Sequence, residues 1–277
     1  MKTLKLARIA AATVALVAGG AHAALITSWD ISDVAFFDPT TVTPTGASIY
    51  SPKLSNANTT LRWGDPYAPN TQQSGLDIDS QSFTGVSLGQ LVNTVSVTHL
   101  NFPIEAPFLT AVDILATISL TPTVAIPGFP VPLVSGTTTF KVKFFETPNG
   151  GSNGVCADGN AVGVGLNVAG CADIFVVDKE TPLDFSFIVP DYDGLGDIEY
   201  FVKFSGTGFT NLSAAACSSL GVAAGCTGFL TEENKASDAV FGLTITGPQG
   251  VPEPGSLALL GLGLLGLGAV RRHKSVK

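Results

Sequence analysis

Period-two alternation of apolar and polar residues restricts the fold of this chain more than any other feature. In Thr139-Phe140-Lys141-Val142-Lys143-Phe144 the lysines fall on one side of an extended backbone, and Phe140, Val142 and Phe144 fall on the other. Successive strand side chains point to opposite faces, so such a segment has one wet face and one buried face. Leu183–Val189 and Tyr200–Phe204 repeat the pattern around a turn rich in Gly and Asp, which predicts a β-hairpin. Strand candidates recur from Asp33 to Thr246, separated by turn clusters such as Pro148-Asn149-Gly150-Gly151 and Ser205-Gly206-Thr207-Gly208. Amphipathic helical periodicity is almost absent. Phe outnumbers the other aromatics, 17 against 4 Tyr and 2 Trp, which favours an apolar interior between two sheets. Pro122 to Pro132 carries four prolines and is expected at the surface or at an edge. The expected fold is all-β, an antiparallel β-sandwich or jelly-roll-like single domain over residues 24–250.

The two ends read as signals. Lys2, Lys5 and Arg8 precede the apolar run Ile9–Val17 and the small-residue site Ala21-His22-Ala23. That is the layout of a secretory signal peptide over residues 1–23, with the mature chain starting at Ala24. At the other end, Val251-Pro252-Glu253-Pro254 leads into the uncharged run Gly255–Val270 and then Arg271, Arg272, Lys274 and Lys277. Sixteen residues make roughly 24 Å of helix, short of the approximately 30 Å core of a bilayer. Glycines weaken that helix further. A transmembrane helix of this kind is suited to a transient stop, with the basic residues held in the cytoplasm.

Setting both ends aside leaves seven basic and twenty-one acidic residues, a net charge of −14. Such a surface repels the phosphates of nucleic acids and anionic membranes, so nucleic-acid binding is excluded. Cys156, Cys171, Cys217 and Cys226 all lie in the exported part. In an oxidising compartment the simplest connectivity is Cys156–Cys171 and Cys217–Cys226. A loop of about fifteen residues closed in this way contributes roughly 3 kcal/mol in the chain-entropy model. A zinc site is disfavoured, because there is no Cys-x-x-Cys and almost no histidine.

The C-terminal arrangement resembles the PEP-CTERM sorting signal of Gram-negative bacteria, carried here by Val251, Pro252, Glu253 and Pro254, the apolar run and the basic end. The resemblance implies exosortase, a membrane protease, and the secretion machinery as partners. It also implies brief anchoring in the inner membrane and release to the cell surface or beyond. Thr98, His99 and Asn101 further resemble the Thr-His-x-Asn motif of the THxN family of PEP-CTERM proteins. Similarity extends to Trp63-Gly64 with Gln73–Leu76, to the stretch from Phe144–Thr147 to Cys171–Asp173, and to Thr231–Ile245. That family implies an exported protein of undefined activity and brings no catalytic residues.

Chemistry has few places to reside. His99 is the only histidine between the two signals, so a site needing two histidines is excluded, and no Gly-x-Ser-x-Gly elbow supplies a nucleophile. His99 and Asn101 share one strand face, opposite Thr98, Leu100 and Phe102. A histidine there is expected to be satisfied by backbone, with binding of a polar ligand as the alternative. Asp191, Asp193 and Asp197 around Gly194 and Gly196 are candidate calcium ligands, although their spacing fails the EF-hand pattern; a hairpin tip is the simpler expectation. Trp63 and Tyr67 are candidates for stacking on sugar rings, and the alternative for Trp63 is a core edge that pins a loop. The expected role is structural or adhesive, at the surface or in an extracellular exopolysaccharide or biofilm matrix. No enzymatic activity and no firm cofactor are expected. A carbohydrate- or calcium-binding module is the next reading, and a carboxylate-based glycoside hydrolase the third.

Overall fold

The computed structural model describes residues 25–126, 128–178, 184–190 and 197–248. Residues 1–24, which include the expected signal peptide, and residues 249–277, with Val251, Pro252, Glu253 and Pro254, lie outside the described residues. So do Asp191 and Asp193. Chain contacts define one compact unit, Ile26–Val189 with Ile198–Pro248, and a second gathered from 1–25, 190–197 and 249–277, of which three residues are described.

The first unit is built of strands: β1 (Ser28–Phe37), β2 (Lys53–Ser55), β3 (Thr60–Trp63), β4 (Asp65–Pro66) and β5 (Ser74–Ser80). Then come β6 (Ser82–Ser87), β7 (Leu91–Asn101), β8 (Ile104–Glu105), β9 (Ala111–Pro122) and β10 (Val134–Phe145). The rest are β11 (Asp173–Asp178), β12 (Phe185–Val189), β13 (Ile198–Thr207), β14 (Thr210–Asn211), β15 (Thr227–Thr231) and β16 (Lys235–Thr246). One antiparallel sheet has the order β14-β15-β11-β10-β9-β1-β6 and the other β12-β13-β16-β7-β5-β3-β2, while β4 and β8 form a small pair.

The inner faces of the two seven-stranded sheets share one core, as expected of a β-sandwich. Strand β9 shows the cause: Val112, Ile114, Ala116, Ile118 and Leu120 are buried and the residues between them are half-buried. Strand β10 buries Phe140, Val142 and Phe144 and leaves Lys141 exposed, as its alternation requires. Each such side chain contributes roughly 1.5–3 kcal/mol through removal from water. The predicted hairpin is β12–β13, with Phe185 opposite Val202 and Val189 opposite Ile198. The proline-rich segment is the exposed connection of the β9–β10 hairpin, where Val124 and Val131 face solvent.

One predicted turn starts later than its composition suggests. Ser205-Gly206-Thr207 continues β13, because these residues pair with Gly242, Phe241 and Val240 of β16. The chain turns only at Gly208, whose φ of 85° suits glycine.

Both disulfides have the simplest connectivity, Cys156–Cys171 and Cys217–Cys226. Cys217 sits on a single helical turn, α1 (Ala214–Ser219), capped by Ser213, whose Oγ accepts from the Ala216 amide at 3.0 Å. The same hydroxyl donates to the Asp158 carbonyl at 2.6 Å, which links the two disulfide segments. With Ile174, Val176 and Leu212 they form a second, smaller core on the outer side of β11.

Candidate functional site

The alternation of β7 sends Val97, His99 and Asn101 into the sandwich and leaves Thr98 and Leu100 half-buried on the other face. His99 has no solvent exposure and is enclosed by aromatic rings. Trp63 lies parallel to it at 6.1 Å between centroids, Phe144 meets it edge-on at 4.9 Å, and Phe229 lies at 6.5 Å. Neither imidazole nitrogen has a hydrogen-bond partner, so the expected backbone bond is corrected. The strand's own amides and carbonyls are engaged in the ladder, and the ring points away from them, toward the opposite sheet.

What it meets there is a carboxyl group. Nε2 stands 3.8 Å from Oδ2 of Asp173, the first residue of β11, and both side chains are fully buried. Oδ1 of Asp173 accepts from the Thr147 amide at 2.8 Å, and the Thr147 hydroxyl lies 3.2 Å from the same oxygen. The carboxyl of Glu146 acts on Asp173 from close by, and Trp63 Nε1 donates to Glu146 Oε2 at 3.3 Å. On the far side of the imidazole, Asn101 Nδ2 donates to the Thr231 carbonyl at 2.9 Å, tying the end of β7 to the end of β15. Glu233 follows in the tight turn between β15 and β16, next to Asn234 with φ 61°.

Electrostatics in this pocket favours the uncharged forms. Burial lowers the His99 pKa to about 3. Burial also pushes Asp173 up to about 8, reinforced by the nearby Glu233 and opposed by its bonds from Thr147. Glu146 is held well above the usual carboxylate range, first by burial and then by the charge of Asp173. Glu233 is raised by burial, against bonds from the Asn149 side chain and the Asn234 amide. An imidazole and a carboxyl group at 3.8 Å therefore stand here as neutral neighbours rather than as an ion pair.

Seven buried side-chain polar atoms among the described residues lack hydrogen-bond partners, and six of them belong to this cluster. They are both His99 nitrogens and one oxygen each of Asn101, Asp173, Thr231 and Glu233. Buried polar atoms are normally paired, and the other buried polar side chains, such as Asp33 with Thr94 and Asp158 with Asn167, are. It is not arranged as a metal centre: among the described residues no three His, Cys, Asp or Glu side chains are grouped to hold an ion.

The cluster joins segments that the sequence keeps apart. Trp63, Glu146, Asp173 and Thr231 lie far apart in the sequence, and they converge on the Thr98-His99-x-Asn101 strand. Glu146, Thr147, Asp173 and Glu233 are not singled out as site residues by the sequence; the only signal is that Phe144–Thr147, Cys171–Asp173 and Thr231–Ile245 contain them. The Cys156–Cys171 loop holds one wall, because the Thr147 hydroxyl also donates toward the Cys171 and Ala172 carbonyls at 2.8 and 3.0 Å.

Trp63 and Tyr67 do not form a sugar platform. Trp63 has no exposed surface, because His99 and Phe144 cover its ring, whereas Tyr67 is 60% exposed. Of the candidate calcium ligands only Asp197 is among the described residues, so the ion-binding turn is not defined.

A family model for the PEP-CTERM protein-sorting motif matches residues 250–272. None of the curated proteins matches the chain in sequence.

Proposed function

We propose that this PEP-CTERM protein, exported and processed by exosortase, serves as a structural or adhesive component of the cell surface or of an extracellular polysaccharide matrix. The observation that supports this reading most is the position of the reactive groups. A general acid or base must come within hydrogen-bond reach of its substrate, yet His99 and Asp173 have no exposed surface and lie behind three aromatic rings. Their role is to join the two sheets, and we assign the domain no catalytic activity and no resident cofactor. The acidic surface and the two disulfides fit long service outside the cytoplasm.

The test is genetic and biochemical. A host strain whose chain lacks residues 251–277 is compared with its parent for the protein's location, for matrix yield and for attachment. The truncated protein is expected to leave the surface and matrix fractions, with a weaker matrix or poorer attachment. Unchanged matrix and attachment in a strain that no longer retains the protein would refute the structural role.

A further inference from the structure

Away from the polar cluster, the two sheets do not close on each other. A cavity of about 420 Å³ lies between them, walled by Ala35, Val95, Val97 and Ile114 and by Phe140 and Phe175. A second cavity of about 220 Å³ adjoins it and shares Phe140, Val177, Phe204 and Phe241 as walls. The space is therefore elongated. Protein interiors are packed like organic crystals, with few voids larger than a water molecule. An apolar cavity of about 150 Å³ already stays dry and takes up benzene, and ligand pockets begin at about 300 Å³. The larger cavity belongs in that second range.

The geometry points to a binding site for a single hydrocarbon chain carrying an uncharged polar head. Apart from Asp33 and Thr138, the inward-facing walls are apolar along the length of the chain. Thr138, half-buried on the inner face of β10, supplies a hydroxyl to the lining, whereas the hydroxyls of Ser135 and Thr137 bond those of Ser119 and Thr117 on the outer face of the sheet. The single ionisable residue in the lining is Asp33, 4% exposed and accepting from the Thr94 hydroxyl at 2.7 Å. A carboxylate in the lining and a net charge of −14 around it both disfavour an anionic head. The head is thus an alcohol or ester and not a fatty carboxylate. This site is independent of the surface role proposed above, because it depends only on the gap between the sheets.

The test uses protein recovered without detergent from the native host. The uncharged dye N-phenyl-1-naphthylamine reports occupancy at pH 7, with dodecanol and dodecanoate as competitors. Saturable dye binding is expected, with dodecanol displacing the dye at concentrations at least tenfold lower than dodecanoate. Two variants narrow the site. Ala116→Phe fills it from β9, and Gly136→Phe blocks its opening, where an added Cβ meets nothing within 4 Å. Each should weaken dye binding at least tenfold while the protein still unfolds cooperatively. If Ala116→Phe fails to fold, Gly136→Phe alone carries the comparison. Absence of saturable dye binding, or full binding by a folded Gly136→Phe, would overturn the site. Equal competition by dodecanoate would overturn the assignment of the head group.

Discussion

Raising the pH from 6.5 to 8 should weaken this domain, although most proteins tolerate that interval well. The cause is the buried pair of His99 and Asp173. Between about 3 and 6.5 the unfolded chain binds the His99 proton and the folded chain does not, so stability rises with pH. Between 3.8 and about 8 the folded chain keeps the Asp173 proton and the unfolded chain has lost it, so stability falls with pH. Each slope is about 1.4 kcal/mol per pH unit. The two oppose each other up to about pH 6.5, and above that only the Asp173 slope remains. Roughly one and a half units then correspond to a loss of about 2 kcal/mol. Glu146, also raised, acts in the same direction. Surface carboxylates are already ionised at pH 6.5 and contribute little to the change. For a domain of this size about 2 kcal/mol means a fall of about 4–8 °C in melting temperature. Calorimetry in buffers from pH 6 to 9 measures it directly. Asp173→Asn should shrink the fall, and the double variant Glu146→Gln with Asp173→Asn should shrink it further. A wild-type melting temperature that is level from pH 6.5 to 8 would refute the assignment of a protonated Asp173.

Four further outcomes follow from the same contacts. Trp63→Ala should cost about 3–5 kcal/mol, as truncation of a buried aromatic does, with no specific effect on retention by polysaccharide columns; a selective loss of retention in a folded variant would restore the sugar platform. Asn101→Ala leaves the Thr231 carbonyl without its 2.9 Å donor and should cost about 1–3 kcal/mol in urea unfolding. Loss of Cys156–Cys171 through paired Ser substitutions should cost roughly 3 kcal/mol and expose the Thr147 amide to hydrogen exchange. Millimolar calcium should leave the melting temperature where a chelator leaves it, and a rise would assign an ion to the turn containing Asp191, Asp193 and Asp197.

Local pattern made the strands legible. The alternation in β10 needs only neighbouring residues, and so does the shared face of His99 and Asn101 on β7; that this face, and not that of Leu100 and Phe102, points inward was decided by the fold. The disulfide pairing was equally readable, because short separations in an exported chain leave few alternatives. The partners of His99 were not readable. Glu146 and Asp173 approach it from the opposite sheet, across dozens of residues of sequence, and nothing near them sets them apart from other acids. Trp63 was ambiguous for a related reason: a Trp before Gly-Asp-Pro suits a loop edge or a binding face equally. The packing of Phe144 and His99 decided the matter, and packing is a property of the fold. The cavity was the least visible feature, since it arises from how far apart two sheets stand.

Mass spectrometry of the protein taken from the surface and matrix fractions of its host tests the central claim most directly. The account predicts a chain that begins at Ala24, ends close to Pro252–Pro254 and carries both disulfides oxidised. A chain still bearing residues 255–277, retained in the inner membrane with four free thiols, would contradict it.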